Sequence, residues 1–309
     1  METPDRKSAY RGRFAPSPTG PLHFGSLVAA VGSYLDARHH SGEWLVRMED
    51  LDPPREVPGA ADDILRTLER YGLHWDGEVI YQGHRRSEYQ LALEQLDTDG
   101  WLYGCACTRR EIADATLPGQ GGSIYPGTCR NGLPDGRQAR ALRVRVENTE
   151  ISLDDGLQGS THQHLGRDVG DFVVRRADNL AAYQLAVVVD DAAQQMTHIV
   201  RGADLLESTP RQVYLQGLLG LSTPAYLHLP IAINSTGEKL SKQTCAQAVG
   251  AADPVTVLLD VLQFLHQEVP GSAGDVTLED LWHWAVKRWD RTRLHAIRTR
   301  SAPAGYLGD

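Results

Sequence analysis

The stretch RFAPSPTGPLHFGS, Arg13 to Ser26, sets three prolines and two glycines around a single histidine, directly before an amphipathic run. The prolines fix φ and lower the entropy lost in holding the loop still. A loop that ends at a helix start aims unpaired backbone N–H groups, and the positive end of the helix dipole, at whatever lies in front of it. Such a site favours anions, phosphate above all. Gly25 lets a ligand approach the backbone closely, and His23 offers a donor to a phosphate oxygen. Read alone, the stretch is equally well a rigid connection carrying a surface histidine.

Working outward, Gly12 to Ala15 reads as a short strand, and Leu27, Val28, Val31, Tyr34 and Leu35 recur at helix spacing until Ser41-Gly42 stops the pattern. WLVRMED, Trp44 to Asp50, reads as the next strand. A β–loop–α–β unit within forty residues is the signature of a parallel, nucleotide-binding α/β sheet. Helices follow at about 59–71, closed by Gly72, and at about 87–99. Between Tyr103 and Asp171 the cysteines, glycines and turns, with strand-like ALRVRV at Ala141 to Val146, mark an insertion. Alternation resumes with FVVRR, AYQLAVVVDD and MTHIVRG and a helix at about 210–219, and amphipathic helical segments follow Ala252. The expected organisation is a catalytic α/β domain in two halves, 1–104 and 172–250, an insertion at 105–171, and a helical region at 251–309.

Composition narrows the function classes. Hydrophobic residues make up 41% and charged residues 23% of the 309, ordinary for a globular protein. No apolar run approaches the roughly 20 residues that span a bilayer, and METPDRKSAY has no apolar signal core, so a cytoplasmic protein without a membrane partner is expected. Four cysteines suit that compartment. A net charge of −9 argues against a generic nucleic-acid-coating protein. One basic cluster, Lys287, Arg288, Arg291, Arg293, Arg298 and Arg300, either tracks phosphates or forms a salt-bridged protein face.

A second stretch, EKLSKQ at Glu238 to Gln243, carries Lys239 and Lys242 on a turn after INSTG. Cations on a glycine-containing loop suit neutralisation of charge that develops on a polyphosphate. Together, RFAPSPTGPLHFGS and EKLSKQ resemble the two signature motifs of class I aminoacyl-tRNA synthetases, and within them the glutamate-specific branch. His23-Phe24-Gly25-Ser26 stands where that family has H-I-G-H, and Lys239-Leu240-Ser241-Lys242-Gln243 where it has K-M-S-K-S. The resemblance implies a Rossmann-type parallel sheet and condensation of an amino acid carboxylate with the α-phosphate of ATP, with Mg²⁺ and release of pyrophosphate. It assigns His23, Ser26, Lys239 and Lys242 to catalysis, with His23, Gly25, Ser26 and Lys242 on ATP and Lys242 as the transition-state cation. Ser26 in place of histidine and Gln243 in place of serine both keep hydrogen-bonding capacity.

An L-glutamate pocket must satisfy two carboxylates and one ammonium, because an unpaired buried charge is costly. The resemblance assigns that pocket to Arg13, Phe14, Ala15, Pro16 and Ser17, with Glu49, Tyr183 and Arg201. Arginine suits a planar carboxylate, and Glu49 suits the α-ammonium. Taken singly, Arg201 could pair with Asp204, and Glu49 could belong to a charge cluster with Asp50 and Asp52.

Cys105 and Cys107 in CAC, with Cys129 in YPGTC, make a metal knuckle in which three thiolates suit a tetrahedral Zn²⁺. From spacing alone the fourth ligand is open between Tyr125, His162, His164 and water. The resembling family uses a tyrosine at this Y-x-x-x-C position, which implies Tyr125 and one structural ion holding an acceptor-binding insertion. Cys245 has no assigned role.

Only about sixty residues follow EKLSKQ, where a full glutamyl-tRNA synthetase carries a large anticodon-gripping region. That shortening, with REVPGAADD and the tight knuckle, resembles the short glutamyl-queuosine tRNA(Asp) synthetase family. The resemblance implies a monomer that transfers glutamate to the cyclopentene-diol of queuosine at the wobble base of tRNA(Asp), with the anticodon stem-loop lying where an acceptor stem usually lies. The alternative is a compact glutamyl-tRNA synthetase charging a tRNA 3′ end. An adenylate-using enzyme acting on a small amine or protein, and a non-catalytic binding paralogue, are the other rivals.

Overall fold

In the computed structural model, which describes residues 10–108, 110–112, 117–119, 122–240, 247–270 and 276–307, the opening stretch joins strand β1 (Arg11–Phe14) to helix α1 (Phe24–His39). Strand β2 (Glu43–Met48) returns parallel to β1, with Phe14 opposite Val46. Helix α2 (Ala60–Arg70) leads to β3 (Ile80–Tyr81), again parallel, with Met48 opposite Tyr81. The apolar spacing of α1 is what seats it: Phe24, Leu27, Val31 and Leu35 are wholly buried against the sheet. Helix α3 (Arg86–Thr98) follows and places Tyr89, Leu93 and Leu96 in a second core.

The rhythm then changes as the sequence predicts. Strands β4 (Leu102–Cys105), β5 (Leu117–Gly119), β6 (Gly122–Ile124), β7 (Ala141–Val144), β8 (Glu150–Asp155) and β9 (Gly159–His164) pair antiparallel, as β4 with β7, β5 with β6 and β8 with β9. After the short helix α4 (Leu165–Asp168), strand β10 (Phe172–Arg175) also pairs antiparallel with β7. FVVRR reads in sequence as the resumption of alternation. Its hydrogen bonds instead go to the antiparallel sheet, a long-range pairing that no local pattern encodes.

Parallel structure returns after helix α5 (Tyr183–Ala193), with β11 (His198–Gly202), α6 (Thr209–Leu218) and β12 (Ala225–Leu229). The N–H of Thr197 donates to the carbonyl of Arg11 at 3.0 Å, laying β11 beside β1. Gly32 of α1 faces β12 so closely that a Cβ there would stand 2.5 Å from Leu229 Cδ1, so any larger residue would displace that side chain. β13 (Ile231–Ile233) follows at once.

Helices α7 (Pro254–Phe264) and α8 (Leu278–Arg288) begin at side-chain caps, where Asp253 accepts from Thr256 N–H and Thr277 from Asp280 N–H. Both pack on α1. The last strand, β14 (Thr299–Ser301), pairs parallel with β13, so this region adds a strand as well as helices. Three cations of the basic cluster form ion pairs. Arg288 and Arg293 meet Glu268, Arg291 meets the buried Asp36, and Arg300 donates to the carbonyls of Gln263 and Phe264. Among the described residues no helix is long and apolar enough to cross a membrane.

Candidate active site

Helix α1 starts at the mouth of a cavity. His23 caps it with extended backbone (φ −113°, ψ 173°), and its Nδ1 accepts from the N–H of Ser26 at 3.3 Å. With Nδ1 accepting, the proton of the neutral ring sits on Nε2, which lies 3.1 Å from Ser26 Oγ. Ser26 therefore contacts His23 through both backbone and hydroxyl. A Cβ on Gly25 would stand 3.2 Å from the His23 ring, so glycine also leaves that imidazole its place.

The cavity, of about 200 Å³, is walled by Arg13, Phe14, Ala15, His23, Gly25 and Ser26 on one side. Glu49, Tyr183, Arg201 and Lys239 close the other side. One space thus gathers ten of the positions singled out in the sequence. Pro16 and Ser17 do not line it; the Pro16 carbonyl accepts from Glu49 N–H at 2.9 Å, and Ser17 is exposed. Lys239 Nζ lies 2.5 Å from Asp204 Oδ2 at the rim. Lys242, Gln243 and Cys245 lie outside the described residues.

Beneath the floor lies an ionic network that the sequence analysis missed. Arg13 donates from Nε and one terminal nitrogen to the two oxygens of Asp191, at 3.0 and 3.3 Å. Arg47 donates to Asp191 at 2.7 Å, to Gln194 Oε1 at 2.8 Å and to Glu49 at 3.3 Å. Burial pushes the Asp191 carboxyl upward, but Arg13 and Arg47 outweigh it and hold the group below its ordinary value. At Glu49 burial wins over Arg47 and Arg13, and the carboxyl is raised. Glu49 is thus a carboxylate still short of positive charge, which suits it to an ammonium group. A signal was present: Arg47 interrupts the apolar face of WLVRM, and the pair Asp190-Asp191 ends an apolar helix in VVVDD. Charges at such positions require partners.

Arg201 is held on several sides. Nε donates to His228 Nε2 at 3.1 Å, and one terminal nitrogen donates to Thr209 Oγ1 at 2.8 Å and Gln212 Oε1 at 2.7 Å. The other terminal nitrogen is buried with no acceptor among the described residues. In a residue that walls the cavity, that nitrogen is a charged donor left unfilled, and it suits a carboxylate.

Tyr183 also borders a second, larger cavity of about 1060 Å³, whose walls include Cys105, Cys107, Arg140, Arg143 and Arg176. The three sulfurs of Cys105, Cys107 and Cys129 lie within 4.8 Å of one another. The Tyr125 hydroxyl is 3.5 Å from Cys105 Sγ, 3.4 Å from Cys107 Sγ, and accepts from Cys129 N–H at 3.0 Å. A tetrahedral ion with bonds near 2.3 Å spaces its sulfur ligands about 3.8 Å apart, so this donor set fits Zn²⁺. His162 instead contacts Ser152 on the β8–β9 hairpin, and neither it nor His164 joins the cluster.

The fold is an α/β fold with parallel strands around the first cavity and a three-cysteine cluster beside the second. Residues 9–256 match the family described as tRNA synthetases class I (E and Q), catalytic domain. A glutamate–tRNA synthetase from Elizabethkingia anophelis shares the fold, with a TM-score of 0.78 at 24% identity over 96% of this chain and 69% of that one. Two relatives named glutamyl-Q tRNA(Asp) synthetase are far nearer in sequence. That of Dechloromonas aromatica is 61% identical, covering 91% of this chain and 94% of its own, and that of Chromobacterium violaceum is 58% identical, covering 93% and 96%. The chain belongs to the class I tRNA synthetase (E and Q) family and, within it, to the glutamyl-Q tRNA(Asp) synthetases.

Proposed function

We propose that this protein activates L-glutamate with ATP and transfers it to the queuosine base at the wobble position of tRNA(Asp). The observation that carries the reading is the single cavity that joins a carboxylate- and ammonium-matching wall to the N-terminus of α1. Arg13 and Arg201 offer donors to carboxylates, Glu49 receives the ammonium, and Tyr183 closes the side. The α1 N–H groups with His23, Gly25 and Ser26 face the triphosphate, and Lys239 and Lys242 neutralise charge on it, with Mg²⁺ accompanying the nucleotide. A carboxylate oxygen of glutamate attacks the α-phosphorus and pyrophosphate leaves. A hydroxyl of the queuosine diol then attacks the acyl carbon, losing its proton as AMP departs.

The larger cavity beside Tyr183 suits the incoming anticodon stem-loop, since its wall carries Arg140, Arg143 and Arg176. Cys105, Cys107, Tyr125 and Cys129 would hold one structural Zn²⁺, which fixes the shape of the 105–171 insertion. The protein acts as a monomer on this reading.

The test mixes protein, ATP, Mg²⁺ and labelled glutamate with tRNA(Asp) that carries or lacks queuosine. Label is expected only on the queuosine-bearing RNA, and it should survive trimming of the 3′ end. Label that ignores queuosine and leaves with the 3′ end would make the chain a compact glutamyl-tRNA synthetase.

A further inference from the structure

Behind Arg201, out of reach of the cavity, lie two buried groups that no step above uses. His228 stands directly opposite Arg201 in the parallel register of β11 and β12, and both it and the Asp155 carboxylate are wholly buried. Asp155 closes β8 and reaches them because Gly156 lets the chain pass against β12, where a Cβ would stand 3.1 Å from Leu227 Cγ. One Asp155 oxygen accepts three backbone N–H groups, from Leu157 at 3.0 Å, Gln158 at 2.8 Å and His228 at 3.2 Å. The other oxygen lies 2.6 Å from His228 Nδ1.

This arrangement settles where the imidazole proton sits. A carboxylate with all its near donors in place accepts the Nδ1 proton, so Nε2 is left as a lone pair. Arginine can only donate, and its Nε–H points at that lone pair at 3.1 Å. We propose that Asp155 and His228 are positioning residues that fix the Arg201 guanidinium through its Nε edge, so that the unfilled terminal nitrogen faces a carboxylate of the bound substrate. Gln212 and Thr209 accept from one terminal nitrogen, and the Thr209 hydroxyl also lies 3.2 Å from His228 Nε2, so it bridges the two residues. Without His228 the fork can turn about that terminal nitrogen. Burial, with the nearby Arg201 charge, keeps His228 below its ordinary pKa despite Asp155 and Asp204, consistent with a neutral ring at Nε2.

The inference rests on the reading of this cavity as a glutamate site, and the experiment separates the two. In Asp155→Asn the amide oxygen retains the three backbone N–H groups, so the amide nitrogen must donate to His228 Nδ1. That moves the ring proton to Nε2, against the Arg201 N–H, without changing the size of any side chain. A hydrogen bond to a charged group of about 1.5–3 kcal/mol corresponds to a rise in glutamate KM of about 10- to 150-fold in pyrophosphate exchange. The ATP KM should stay within about 2-fold, because no nucleotide contact changes. His228→Gln, which can donate to Asp155 and accept from Arg201, should stay within about 3-fold of the parent, whereas His228→Leu should match Asp155→Asn.

Should Asp155→Asn not fold, ¹⁵N-histidine spectra of the parent decide, with His228→Gln supplying the assignment. The unprotonated nitrogen must be the one coupled to both ring C–H protons, which is Nε2. An unprotonated Nδ1, or equal changes in glutamate and ATP KM, overturns the proposal. Absence of glutamate-dependent exchange in the parent would instead sink the functional reading and leave the proton assignment standing on the spectra.

Discussion

At the cavity, Arg201 keeps one nitrogen with no acceptor among the described residues. In the C-terminal segment, Arg288, Arg291, Arg293 and Arg300 each reach a carboxylate or carbonyl of the protein. In the sequence the second group belongs to the louder feature, a cluster of six cations within fourteen residues, and the first is a lone arginine in IVRGADL. The difference lies in what surrounds them. Glu268, Asp36 and the end of α7 supply acceptors to these four arginines within the fold. Arg201 is ringed by groups that fill part of its fork and leave one terminal nitrogen unfilled in a residue that walls the cavity. A count of positive residues therefore points to the C-terminal segment, and an inventory of unfilled donors points to Arg201.

The sharpest way to break this comparison is Arg201→Ala. Removing one partner of a buried hydrogen-bonded charge pair costs about 2–5 kcal/mol, so kcat/KM for glutamate should fall between about 30-fold and several thousand-fold in pyrophosphate exchange. A fall smaller than 10-fold would mean that the unfilled nitrogen serves no ligand.

A second break, read in stability and not in activity, is Asp191→Asn, which takes the shared acceptor from Arg13 and Arg47. Breaking a buried pair costs about 3–5 kcal/mol, read from urea melts at neutral pH. The Asp191 carboxyl is held below its ordinary value in the folded chain, so its contribution is complete above the unfolded pKa near 4. It is lost as pH falls through the lower, folded value. The parent should lose this share of stability in acid, and the variant should show a flatter acid limb. Identical limbs would show that the network is not ionised as described.

The smallest effect belongs to the C-terminal face. Were Arg288 and Arg293 bound to RNA phosphates, each substitution by Gln would lower the salt slope of RNA binding by about 0.9. Because both already meet Glu268, the slope should not change, and a measurable drop would restore this face as an RNA contact.

How much could be read beforehand follows from distance along the chain. The α1 loop, the lysine stretch and the cysteine knuckle are each written within a few dozen residues, and periodicity places α1, β2 and the insertion. The groups that hold the site are not local. Arg13 meets Asp191 across 178 positions, Arg47 meets it across 144, and His228 meets Asp155 across 73. None of these pairs has a spacing rule, and the only trace in sequence is a charge set into an apolar run. β10 escaped for the same reason, since its partner in the sheet is chosen by pairing over distance and not by its own residues.

The reach of those contacts has a consequence in time. Each closes a long loop, whose entropy must be met before the contact repays it, and such pairings form slowly. Helix α1 and its capping histidine can take shape from a nascent segment alone. The grip on Arg201 cannot, because β12 lies beyond residue 224 and Asp155 has nothing to orient until it arrives. The pocket is thus among the last parts of the molecule to exist. A chain still emerging from the ribosome carries the loop before α1 well before it can fix Arg201 in place.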